Sequence, residues 1–179
     1  MPLIAAPDID QIDHSLRDAY ESGRSRHAHF DLLRRLLLRF PAASRAADGM
    51  YDLIMETGRL PRDLKEQLFV ACSAVRECDY ATTGHGRWLA DHTEMTEAEV
   101  DSVVRGEDLP NYSAVERAVL AFGRKVAAAP YRTMGDDIGA LRAAGLDESE
   151  IVEIMTVISL SGWMNGYAAA LGLRAGDVH

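Results

Sequence analysis

At 179 residues, with 47% hydrophobic and 26% charged side chains, the chain has the composition of one globular domain with a real core, which excludes a disordered polypeptide. Its net charge of −9 argues against nucleic acid or an anionic membrane as partner, since both require a basic footprint. Two lone cysteines, Cys72 and Cys78, and an N-terminal stretch without a basic region or a sustained apolar run point to a reducing cytoplasm.

In chain order, the spacing of apolar residues predicts helices near 8–21, 28–39, 41–57, 61–76, 79–92, 96–105, 112–128, 134–144 and 147–172. Pro41 and Pro61 stand where first-turn prolines belong. Thr96–Glu99, Ser113–Glu116 and Asp147–Glu150 have the form of capping boxes, and Thr133–Asp136 has a weaker version of it. Gly58, Gly106 and Gly145 fall where helices should stop. No segment alternates with a period of two between turn signals, so the expected fold is all-α. The expected organisation is a single domain, with 1–39 as a helical extension and 40–173 as the core.

Ile154–Leu173 carries no formal charge and is long enough to span a bilayer. However, Ser159, Ser161, Asn165 and several glycines dilute it, and it continues an amphipathic run from Asp147. The expectation is a buried or subunit-interface helix. An internal echo links Glu66 and Glu153, each a glutamate within an apolar helix after a helix-start signal.

The residues that could carry chemistry cluster between Glu66 and His85. Glu66 is expected at the edge of the core, where burial would raise its pKa towards an acid–base value; the alternative is a first-turn glutamate paired with Lys65 or Arg62. On a helix, Cys78, Ala81 and His85 would share one stripe, because each residue turns the helix by about 100°. Cys78 stands near a helix N-terminus, which lowers a thiol pKa, although an inert buried cysteine is the commoner outcome. Six residues separate it from Cys72, roughly 120° apart on a helix, so a disulfide between them is excluded. Tyr80 offers a phenol as hydrogen-bond donor or as packing. His85 is the natural proton shuttle, and Gly84 and Gly86 on either side leave room for a neighbour or a ligand. His27 and His29 do not share a helical face, and no metal-ligand or phosphate-loop pattern occurs. Asn165 and Tyr167 are expected to find structural hydrogen bonds.

Leu64–Glu66, the Cys78-x-Tyr80-x-x-x-x-His85 stretch, Ala90 and the segment Leu141–Ile151 together resemble the carboxymuconolactone decarboxylase / AhpD-like superfamily, over roughly residues 40 to 173. The resemblance implies an AhpD-like helical bundle, assembled as a dimer, trimer or hexamer, with no cofactor and no metal. In the hydroperoxidase branch, the pattern is Glu…Cys-x-x-Cys-x-x-x-His, and the second cysteine attacks peroxide. Here Ala81 stands at that position, and a methyl group cannot be oxidised. The decarboxylase branch needs no cysteine pair. It would make His85 and Glu66 acid–base partners, Tyr80 a donor to substrate oxygen, and Cys78 a packing residue.

Three functions follow from the resemblance. The first is a cofactor-independent acid–base enzyme of decarboxylase, lyase or isomerase type, acting on a small organic acid or lactone. The second is a one-cysteine, peroxiredoxin-type hydroperoxidase. The third is a non-catalytic oligomeric binding protein. In each, His27, His29 or Phe30 could close the pocket.

Overall fold

The all-α expectation is met in the computed structural model, which describes residues 2–24 and 28–178. Nine α-helices and no strand occur among the described residues. They are α1 (His14–Arg24), α2 (Asp31–Leu37), α3 (Pro41–Glu56), α4 (Arg62–Val75), α5 (Asp79–His92), α6 (Glu97–Arg105), α7 (Ala114–Ala128), α8 (Gly135–Ala143) and α9 (Glu148–Ala170).

The first helix starts later than the periodicity suggests. Residues Ile9–Gln11 form only a 3-10 turn capped by Asp8. The Asp13 carboxylate then takes the Ser15 N–H at 3.0 Å and starts α1. Thr96, Ser113 and Asp147 cap α6, α7 and α9 as expected, each answered by a glutamate three residues on. The Thr133–Asp136 box does not form; Asp137 instead takes the Met134 N–H at 2.7 Å. Gly106 and Gly145 end α6 and α8 at φ 80° and 105°, the left-handed region that glycine adopts freely.

Helix α4 is the centre of the molecule and packs against α5, α6, α7 and α9. Its sequence explains why: from Leu64 to Ser73 every side chain is buried, so no face is left for solvent. Polar groups on this helix must therefore find partners inside the protein. Lys65 gives Nζ to Glu153 at 2.6 Å and to the Ile54 carbonyl at 2.9 Å. Glu153 of α9 also accepts the Arg59 N–H at 2.8 Å, clasping the α3–α4 turn. The echo between Glu66 and Glu153 thus ends in different uses of the two carboxylates.

Ser73 and Asn165 are hydrogen-bonded at 3.1 Å across α4 and α9. Tyr167 packs edge-on against Trp163, with ring centroids 4.9 Å apart. No helix among the described residues is long and apolar enough to cross a membrane. A second, smaller cluster of Leu16, Tyr20 and Leu38 attaches α1 to α2.

Candidate active site

Three helices bring four polar side chains to one buried point. Glu66 sits on α4, four residues after Arg62, so both lie on the same helical face. His85 comes from α5, and Tyr51 from α3. Glu66 is wholly buried and His85 is 2% exposed. Nδ1 of His85 donates to Oε2 of Glu66. The other carboxylate oxygen accepts Nε of Arg62 at 2.8 Å and the Tyr51 hydroxyl at 3.2 Å.

The carboxyl lies deeper than the sequence suggests, and its pKa moves the other way. Burial alone would raise it, but the His85 imidazole and the Arg62 guanidinium outweigh burial and hold Glu66 below the usual glutamate range. Arg62 also reaches outward to Glu56 and lies over the Trp88 ring at 4.8 Å. Of the two local partners considered for Glu66, only Arg62 is used, because Lys65 points to Glu153. Burial, reinforced by the Glu66 charge, pushes the Tyr51 phenol well above its ordinary value.

The imidazole is fixed between rings. Phe69 stacks on it at a centroid distance of 3.7 Å, and Phe30 lies 4.7 Å away. With Nδ1 committed to Glu66, Nε2 has no hydrogen-bond partner among the described residues. His85 shares with Ala81, Tyr80, Phe30 and Met164 a cavity of about 10 Å³, room for about one water. Glycines beside His85 do not leave open space. Phe30 covers Gly84, and Val100 lies 3.0 Å from where a Gly86 side chain would start.

Of the stripe expected from the sequence, Ala81 and His85 meet at this cavity, and Cys78 does not. Cys78 is the residue before α5, with φ −95° and ψ 82°, so it lies outside the helical repeat. Its Sγ lies 3.9 Å from the Asn165 carbonyl oxygen. Cys78 also floors a separate open groove of about 570 Å³ with Glu77, Asp79, Thr82 and Arg174. Burial pushes its thiol above the usual range, against the lowering expected from the helix terminus, and the Ala81 N–H offsets only part of this.

Tyr80 is fully buried, and its hydroxyl accepts the Leu33 N–H at 3.4 Å. Burial raises its pKa strongly. Phe30 closes the cavity, whereas His29 turns away to Asp91 at 3.3 Å. His27 lies outside the described residues. No group of side chains able to hold a metal ion occurs among the described residues.

The bundle has an AhpD-like all-α fold. Residues 41–125, just under half of the chain, match the model of the carboxymuconolactone decarboxylase family. Among solved structures it is similar to a peroxidase-related protein with an alkylhydroperoxidase AhpD core from Ralstonia eutropha JMP134. The TM-score is 0.84 at 24% identity, covering 97% of this chain and 91% of that one. A peroxidase-related protein from Silicibacter sp. TM1040 gives a TM-score of 0.82 at 19% identity, covering 97% and 91%. The debrominase Bmp8 gives 0.82 at 19% identity, covering 96% and 91%. At these identities the likeness shows the fold. A search of curated proteins finds no match.

Proposed function

We propose that the protein is a cofactor-independent acid–base enzyme of the decarboxylase or lyase type, acting on a small organic acid or lactone. The observation that supports this most is the polarity of the His85 ring. Glu66 holds Nδ1, while Nε2 has no hydrogen-bond partner among the described residues and the ring borders an apolar cavity. A charged carboxylate behind an imidazole fixes its tautomer and orientation and stabilises the imidazolium formed when Nε2 takes a proton. His85 and Arg62 hold Glu66 ionised against its burial, so that the relay runs through His85.

A hydroperoxidase is the weaker reading on two counts. Ala81 has no oxidisable group, and Cys78 is away from His85 with a raised thiol pKa. A non-catalytic binding protein is favoured by one observation, the cavity of about 10 Å³, which admits a substrate only after side chains move.

The test is turnover of a panel of small carboxylated γ-lactones, followed by CO2 release and by solvent deuterium exchange. On the acid–base reading, His85→Ala and Glu66→Gln abolish both signals, and Cys78→Ser keeps them. Equal loss in Cys78→Ser would remove the assignment of His85 as the proton carrier. Absence of either signal across the panel would favour the binding protein.

A further inference from the structure

Helix α9 has an outer face that the rest of the chain leaves uncovered. Val152, Thr156, Ser159, Gly166 and Ala170 are exposed and Trp163 is half-buried, and the six follow one another at alternating steps of four and three residues. That alternation is the heptad spacing with which one helix packs along another, sustained here over about 27 Å. No member of this seam carries a charge, and neither does any residue from Ile154 to Leu173.

The seam is complementary to itself when reversed. An antiparallel pair with its two-fold axis level with Ser161 sets Val152 against Ala170, Thr156 against Gly166 and Trp163 against Ser159. Each pair joins a larger side chain to a smaller one, as close packing of two helices requires. Gly166 has no such use within one copy, because a side chain there would meet no neighbouring atom within 4 Å, and glycine inside a helix is destabilising. The ends match as well. Val152 is 61% exposed beside Leu53 of α3 at 65%, and the two border one groove. At the far end of α9, Leu3 is 76% exposed and donates its N–H to the Leu171 carbonyl at 2.8 Å. The two-fold brings Val152 and Leu53 of one copy towards Leu3 of the other. It also brings Glu148, exposed although Arg142 holds one of its oxygens at 2.8 Å, towards the exposed Arg174 beyond the other α9.

We propose that this face binds a second copy of the chain through an antiparallel α9–α9 contact, with the two-fold axis level with Ser161. The contact is isologous, so each of the three pairings occurs twice. Leu53 and Leu3 at its two ends widen it beyond a single helix, towards the roughly 800 Å² per partner that stable interfaces bury. The resemblance to the superfamily implies an assembly but names neither a surface nor a symmetry; the register of α9 supplies both.

Sedimentation velocity of the unmodified protein at micromolar concentration gives an even number of copies. Ser159→Glu, a change at an exposed position, keeps the helical circular dichroism and halves the sedimenting mass, because each copy then drives a carboxylate against the Trp163 ring of the other. Register is read separately, by pairing thiols in Val152→Cys combined with Ala170→Cys. Within one helix these positions lie about 27 Å apart, so no disulfide can form inside a chain. Mild oxidation links residue 152 of one copy to residue 170 of the other, assigned by peptide mass mapping, and neither substitution alone gives a linked pair. A monomer, an odd number of copies, a mass that Ser159→Glu leaves unchanged, or oxidation without a 152–170 link would overturn the proposal.

Discussion

His85 donates from Nδ1 to the Glu66 carboxylate across nineteen residues of sequence, and this contact ties α5 to the central helix at its most buried point. Removing Glu66 strips His85 and Arg62 of their shared acceptor where water cannot reach, whereas Glu66 without His85 still keeps Arg62 and Tyr51. Breaking such a pair costs about 3–5 kcal/mol.

Glu66→Gln should therefore lower stability by about 3 kcal/mol or more, read from urea midpoints at neutral pH. The amide keeps the shape but turns an NH2 group towards Arg62 or His85, each of which is already a donor. The pH dependence has a definite sign. The folded carboxyl titrates below the unfolded value of about 4.3, so its contribution is complete above that pH and fades as pH falls through the lower folded value. Between pH 6 and 3 the unmodified protein should lose stability more steeply than Glu66→Gln. Parallel curves would mean that Glu66 is not held ionised.

Much of this was legible in the sequence, for reasons that differ between residues. Caps at Thr96, Ser113 and Asp147 are local signals, so they read directly and fixed the boundaries of α6, α7 and α9. Glu66 and His85 were found because both sit in a recognisable spacing. Tyr51 was missed. It lies in α3, whose pattern looks like ordinary packing, and meets Glu66 of α4 in space, which leaves no trace in local spacing. Cys78 was misplaced by one assumption, that the helical repeat already includes the residue before α5. The Glu66 pKa went the wrong way because its burial was visible in the apolar run, whereas the convergence of His85 and Arg62 on it was not.

Phe30 and Gly84 form a lock over the imidazole. A side chain at Gly84 would collide with the edge of the Phe30 ring, so Gly84→Ala must push that ring aside. Overpacking of this kind costs about 1–3 kcal/mol, and Phe30→Ala alone costs about 3 kcal/mol or more by leaving a cavity. The double variant should be more stable than the sum of the two predicts, because the new methyl occupies part of the vacated space. A thermal or urea double-mutant cycle measures the coupling. Simple additivity would show that the two residues do not touch in solution.

The two thiols should differ in reactivity although both are free and buried. Cys72 is 0% exposed, and burial pushes its thiol up to about 11, so almost no thiolate exists near neutral pH. Cys78 is also raised, yet it borders the open groove beside Arg174. A disulfide reagent at pH 8 should modify Cys78 first and Cys72 only on unfolding, with peptide mass mapping to assign the order. Prior labelling of Cys72 would contradict this arrangement of α4 and α5.

Ala81 separates what the fold preserves from what the residues can do. It is 4% exposed and borders the same cavity as His85, one turn after Cys78. Ala81→Cys places a thiol beside an imidazole that Glu66 already polarises, where its proton has a ready acceptor. Thiol-dependent consumption of hydroperoxide should appear in Ala81→Cys and be absent from the unmodified protein. It should vanish again in Ala81→Cys combined with His85→Ala. Peroxide should also link residues 78 and 81 as a disulfide, seen as the loss of two hydrogens in the intact mass. If the folded variant neither consumes peroxide nor forms that disulfide, Cys78 is directed too far into its own groove to reach residue 81. The separation of the stripe seen in the structure would then be fixed in solution.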